Sequence, residues 1–273
     1  MNRITTTFAR CRAEGRAALI GYLTGCDPDQ AGSLERLRAA CAAGLDLLEL
    51  GVPFSDPTAD GPEIQAAMVR ALASGSTLDK VIELATTLRS EFPELPIVLF
   101  SYANPLLRAA ARTPEGALGL CRSLVERGLD GLLVVDLPPE QGALLREPAR
   151  AAGLDWIGLV APTSTPHRRD RVLAAASGFV YAVSLTGVTG AALDASSLAL
   201  HEQLADLRAR TELPVAVGFG VRSAEQVRAL AGVVDGVVVG SALVRAGVAG
   251  SVVLSGVVGE LRGACFLDGD SGV

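Results

Sequence analysis

Eight short apolar runs recur along the chain, at residues 17–23, 45–50, 97–100, 131–135, 156–160, 179–183, 215–217 and 233–239, and each leads into a stretch of helical periodicity. Strands that alternate with helices cannot pair as hairpins, because each helix carries the chain back to the end where the previous strand began. The sheet must be parallel, with right-handed crossovers. Eight such units leave no sheet edge unpaired if they close on themselves, so the expected fold is a single-domain (β/α)8 TIM barrel. An open doubly wound sheet is the alternative, and it would leave two edges bare. No linker rich in Pro, Ser or charge divides the 273 residues, so one domain is expected, with its core at about 15–250. Ile4, Phe8 and Cys11 recur at helical spacing and predict a short N-terminal helix that covers one end of the core. From Ser251 the chain is apolar and glycine-rich, then acidic at Asp268 and Asp270, and reads as a tail that frays at its end.

Composition excludes several classes of function. Net charge is −6 and no run of Lys or Arg could track a phosphodiester backbone, so nucleic acid is not an expected partner. No stretch approaches the roughly 20 apolar residues of a membrane span, and residues 1–15 lack the apolar segment of a signal peptide, which points to the cytoplasm. Cys11, Cys26, Cys41, Cys121 and Cys265 are odd in number, widely spaced and without a C-x-x-C pair, so buried thiols are expected rather than disulfides or a zinc site. His167 and His201 stand alone on predicted helices with no second ligand at metal spacing, so no metal is expected.

The chemistry is concentrated after the second strand. Glu49 ends an apolar run where a carboxylate is unfavourable unless it faces a polar pocket or a partner, and it marks a candidate acid/base group. The following loop carries Asp56 and Asp60 before Pro62 opens a helix. Asp60, eleven residues beyond Glu49, has room to reach back over the barrel mouth. Asp56, beside Pro57, and Asp136, beside a strand end, read as turn or cap residues.

Three glycine-rich turns follow the last strands: Thr186-Gly187-Val188-Thr189-Gly190, Gly218-Phe219-Gly220 and Gly240-Ser241. Backbone amides bared by glycine can cradle a phosphate without Lys or Arg, and barrels often hold phosphate at this position. Tyr22, Phe100, Tyr102 and Tyr181 stand at or near strand ends and could wall an aromatic pocket, although core packing explains any one of them equally well. The residues thus point to a barrel that binds a small phosphorylated metabolite, with carboxylate chemistry opposite the phosphate.

Residues 48–65, Leu-Glu-Leu-Gly-Val-Pro-Phe-Ser-Asp-Pro-Thr-Ala-Asp-Gly-Pro-Glu-Ile-Gln, closely resemble the signature of the tryptophan synthase alpha subunit family. Tyr102-Ala103-Asn104 and the three glycine turns match further family segments, and the similarity runs from about residue 4 to 249. The resemblance implies a barrel lyase that cleaves indole-3-glycerol phosphate by a retro-aldol reaction to indole and glyceraldehyde 3-phosphate. It implies that Glu49 moves protons at indole C3 and at the side-chain hydroxyl, and that Asp60 accepts the indole N–H. Tyr22, Phe100 and Tyr181 would line the indole pocket, Tyr102 is a further candidate substrate contact, and Gly190, Gly220, Gly240 and Ser241, with Thr189, would hold the phosphate. It further implies a beta subunit in an alpha2beta2 heterotetramer, pyridoxal phosphate in that partner, no cofactor in this chain, and loops at 56–60 and 185–195 that close over substrate. A free-standing lyase making the same cut stays open on sequence, as does a regulatory barrel, against which the presence of both Glu49 and Asp60 counts.

Overall fold

The structure is a computed structural model, and it describes residues 2–184 and 194–267. Strands Ala18–Thr24 (β1), Leu47–Gly51 (β2), Ile97–Ser101 (β3), Gly131–Val134 (β4), Asp155–Trp156 (β5), Gly158–Val160 (β6), Val180–Val183 (β7), Val215–Gly218 (β8) and Gly236–Val239 (β9) form one parallel sheet. Its order is β5-β4-β3-β2-β1-β9-β8-β7-β6. The two end strands are halves of one stretch, separated only by Ile157, whose N–H donates to Leu132 O at 2.9 Å. The predicted strand at 156–160 thus pairs with β4 over its first half and with β7 over its second. That switch closes the sheet into a barrel of eight strand positions.

Helices Arg3–Ala13 (α1), Gln30–Ala42 (α2), Pro62–Ala73 (α3), Leu78–Glu91 (α4), Ala103–Ala110 (α5), Gly116–Glu126 (α6), Ala143–Ala152 (α7), Pro166–Ala175 (α8), Leu198–Arg208 (α9), Ala224–Ala231 (α10), Ser241–Ala249 (α11) and Ser251–Gly263 (α12) complete the described residues. Several begin on the side chains that such termini favour: Asp29 accepts from Gly32 N at 2.9 Å, Thr77 from Lys80 N at 3.3 Å, and Pro62 occupies the first turn of α3. As expected, α1 covers one end of the core. Ile4, Phe8 and Cys11 are buried there, and Phe8 packs on Phe179 with ring centroids 5.6 Å apart.

At that closed end three aspartates, each one residue or less ahead of its strand, staple neighbouring strands together. Asp46 accepts from Leu19 N at 2.9 Å, Asp130 from Ile97 N at 2.8 Å and Asp235 from Val215 N at 2.9 Å. An arginine completes each staple: Arg16 on Asp46 at 2.6 Å, Arg89 on Asp130 at 2.6 Å and Arg12 on Asp235 at 3.1 Å. The repeat is visible as Gly-Leu-Asp at 44–46 and 128–130 and Val-Val-Asp at 233–235, a signal that a search for strands alone passes over.

Two expectations change. Tyr102, placed only near a strand end by the sequence, directly precedes helix α5, which starts at Ala103, with Pro105 tolerated in its first turn, where no intrahelical N–H bond is lost. The stretch from Ser251, read as a tail, is helix α12, which buries Leu254, Val258 and Leu261 and packs chiefly on α2 and α11. Gly256, Gly259 and Gly263 mask that stripe, because each weakens an isolated helix by about 1 kcal/mol. Beyond it the chain returns to the closed end, where Ala17 N donates to Cys265 O at 3.0 Å and Arg16 lies 5.5 Å from the Phe266 ring centroid. The acidic end at 268–273 lies outside the described residues.

Candidate active site

The open end of the barrel holds a cavity of about 430 Å³, lined from β1 by Tyr22, from β2 by Glu49, from β3 by Phe100 and from β7 by Tyr181. Register explains the grouping. Parallel pairing sets Tyr22 beside Glu49 and Gly51 beside Phe100, and neighbours in register project to the same face. The rim comes from the loop after β2, through Ala59 and Asp60, and from the turns after β8 and β9, through Gly220, Gly240 and Ser241.

Glu49 is fully buried, and neither carboxylate oxygen has a hydrogen-bond partner among the described residues. Such a group is costly to ionise, and burial pushes its pKa up to about 8. Asp60, also buried, is held differently. Tyr102 Oη donates to Asp60 Oδ2 at 2.6 Å. Burial raises the Asp60 carboxyl and the tyrosine bond pulls it back, leaving it at about 6. At neutral pH Glu49 therefore keeps its proton while Asp60 is ionised.

Tyr102 does not line the cavity. It is buried behind the β2 loop, stacks on Phe54 with centroids 4.9 Å apart, and accepts from Ala59 N at 2.9 Å, so it holds the loop that carries Asp60. Gly218 also has a different role from that expected. It lies within β8, where a Cβ would fall 2.6 Å from Tyr181 Cζ, so its lack of a side chain makes room for the Tyr181 ring. Gly51 does the same for Tyr22, with a Cβ falling 2.6 Å from Tyr22 Cζ. Neither close approach was legible, because each joins residues on different strands.

The remaining residues of the turns after β8 and β9, Phe219, Gly220, Gly240 and Ser241, line the cavity. Gly220 takes φ +87°, which glycine adopts without strain, and Phe219 before it takes φ +68° with its ring 5.7 Å from Tyr181. Gly240 precedes α11 without a side-chain cap, so the first amides of that helix are not satisfied by its own cap residue. Thr189 and Gly190, with the rest of the turn at 186–190, lie outside the described residues.

Asp136 behaves as the cap it resembled, accepting from Ala103 N at 2.7 Å at the start of α5. His167 is exposed on α8 and His201 contacts Ala195 O at 2.8 Å through Nε2, both away from the cavity. Among the described residues, no group of His, Cys, Asp and Glu could hold a metal ion, and no helix is long and apolar enough to cross a membrane. All five cysteines are buried thiols.

Comparison with known proteins agrees with this fold. Residues 8–250 match the family model for the tryptophan synthase alpha chain. The tryptophan synthase alpha chain of Halorhodospira halophila is 50% identical over 245 residues, covering 90% of this chain and 87% of that relative. The corresponding protein of Gluconobacter oxydans is 49% identical over the same length. Among solved structures, tryptophan synthase from Mycobacterium tuberculosis superposes with a TM-score of 0.88 at 38% identity, covering 97% of this chain and 99% of that one. The tryptophan synthase alpha chain of Legionella pneumophila gives 0.86 at 31% identity over 100% of both. A match spanning the barrel from α1 to the end of α11, at half identity to its relatives, means that this chain belongs to the tryptophan synthase alpha chain family.

Proposed function

We propose that Glu49 and Asp60 are the acid/base and electrostatic groups with which this chain, as a tryptophan synthase alpha subunit, cleaves indole-3-glycerol phosphate to indole and glyceraldehyde 3-phosphate. The observation that carries the assignment is the buried Glu49 carboxyl, without a partner among the described residues, on the wall of an aromatic cavity. The C–C bond at indole C3 breaks only after C3 is protonated and the ring nitrogen can carry positive charge. Protonated Glu49 donates to C3, and the Asp60 carboxylate stabilises the cation at the ring N–H. The Glu49 carboxylate then takes the side-chain hydroxyl proton, the C–C electrons return to the ring, and the aldehyde leaves. Glu49 ends protonated, as it began. Two carboxyls with pKa values held apart suit this division of labour.

Tyr22, Phe100 and Tyr181 pack the indole, and Gly220, Gly240 and Ser241 receive the phosphate on backbone amides and the start of α11. The alpha chain works with a beta subunit, and the pyridoxal phosphate of the complete enzyme belongs to that partner. We place the chain, as a member of this biosynthetic family, in the cytoplasm. The deciding measurement is indole release from indole-3-glycerol phosphate by the full chain, alone and with a beta subunit added. Slow release that rises strongly with the partner supports the alpha-subunit reading; fast release with no response indicates a free-standing lyase.

A further inference from the structure

Cationic charge around the cavity is scarce. Among the described residues its lining carries the acidic side chains Glu49, Asp60 and Glu63 and one cation, Arg222, and with Glu49 protonated the negative charge comes from Asp60 and Glu63. A phosphate ester of charge about −2 would share the cavity with the Asp60 carboxylate, and backbone amides offer it only partial positive charge. Glu63 is already engaged, with Arg245 Nη2 at 2.6 Å from its Oε1, so that ion pair is neutral towards the ligand. Arg222 is different: its charge is felt by Glu63, but among the described residues no carboxylate stands at ion-pair distance from its guanidinium.

The backbone at Arg222 is nevertheless fixed. Its N–H donates to Gln226 Oε1 at 2.7 Å, and Gln226 N donates to Ser223 Oγ at 3.3 Å, the cap that opens α10. A held backbone with an unpaired, exposed guanidinium, two residues beyond Gly220, is a charge available to a ligand rather than one spent on the fold.

We propose that Arg222 is a phosphate-specificity residue of this cavity, pairing its guanidinium with the substrate phosphate beside Gly220, Gly240 and Ser241. This rests on the phosphate placement given above. The guanidinium supplies the full positive charge that the glycine turns lack, and its planar fork suits phosphate oxygens. Arg222 stands at the rim, away from the reacting carbon, so it binds ground state and transition state alike and acts through KM. Because it is exposed, added salt weakens its effect.

The test uses the full chain with Arg222→Gln, Arg222→Lys and Gly220→Asp. Binding of glyceraldehyde 3-phosphate is measured directly, and turnover is compared for indole-3-glycerol phosphate and its dephosphorylated analogue. Arg222→Gln should weaken glyceraldehyde 3-phosphate and raise KM for the phosphorylated substrate about tenfold, the size of one charge-assisted hydrogen bond. The loss should appear in KM rather than kcat, shrink at high salt, be largely restored by Lys, and be less than twofold for the dephosphorylated analogue. Normal glyceraldehyde 3-phosphate binding in Arg222→Gln, alongside weak binding in Gly220→Asp, overturns the role of Arg222 and leaves the phosphate site standing. Normal binding in both variants overturns the phosphate placement and, with it, this inference.

Discussion

Tyr102 and Asp60 share one short hydrogen bond, with the phenol donating to Oδ2 at 2.6 Å while accepting from Ala59 N at 2.9 Å. A single hydroxyl thus orients the carboxylate, lowers its pKa and ties down the loop that carries it. Tyr102→Phe removes all three effects and leaves the Ala59 N–H without its partner, at a cost of about 1–3 kcal/mol to the ordered loop. The expected outcome is a fall in kcat/KM of roughly tenfold or more. The acidic limb of the pH profile should also move upward, because Asp60 loses the bond that opposes its desolvation. An unchanged acidic limb would detach Tyr102 from Asp60 titration.

Glu49→Gln keeps shape and removes the proton. Turnover should drop by roughly a hundredfold or more with binding of glyceraldehyde 3-phosphate retained, as loss of a general acid/base does. The same change should stabilise the fold at alkaline pH. The folded pKa of Glu49 is about 8, above its ordinary 4.5, so the wild type loses stability as pH rises from the unfolded value through the folded one. Gln cannot ionise. The Tm of the variant relative to wild type should therefore rise between pH 5 and 9, and a flat difference would mean that the carboxyl is not held neutral in the fold.

The pH dependence of kcat/KM should be bell-shaped. Asp60 must be ionised, so activity falls as pH drops through about 6. Glu49 must carry its proton, so activity falls as pH rises through about 8. In Glu49→Gln the residual activity should lose the alkaline limb and keep the acidic one.

Gly218→Ala places a methyl where Tyr181 Cζ stands 2.6 Å from the new atom. The new methyl also meets Val238 Cβ at 2.9 Å, but its closest clash is with Tyr181, so the main effect is displacement of that ring from the indole pocket. Competitive binding of indole should weaken several-fold while inorganic phosphate binding changes little. The reverse pattern would mean that Gly218 serves the anion after all.

The barrel and its two carboxyls were legible because their signals are local. Apolar runs alternating with 3.6-residue periodicity imply parallel strands wherever they occur, and a glutamate at the end of such a run demands an explanation whatever surrounds it. The aspartate staples at 46, 130 and 235 are equally local, written as repeated tripeptides, but they lie just ahead of strands β2, β4 and β9 and so outside the strand signal itself. Helix α12 was hidden by its glycines, and its helical state follows from the contacts of Leu254, Val258 and Leu261 with the barrel's outer helices. The turn holding Thr189 and Gly190 lies outside the described residues, so that part of the expected site stays with the sequence.

By itself, then, the sequence determined the closed parallel barrel, the placing of Glu49 and Asp60 at its open end, and the family signature that joins them. Only the tertiary structure decided what state those carboxyls occupy. Burial among residues from other strands, none of those described offering a donor, raises the Glu49 carboxyl to about 8, whereas burial raises Asp60 only to about 6, opposed by the bond that Tyr102, from the next strand's end, donates to it. The same distance along the chain conceals why Gly51 and Gly218 carry no side chain: each yields its space to a tyrosine on a neighbouring strand. Periodicity and residue type are properties of a segment, whereas desolvation, pairing and the sharing of space exist only between segments.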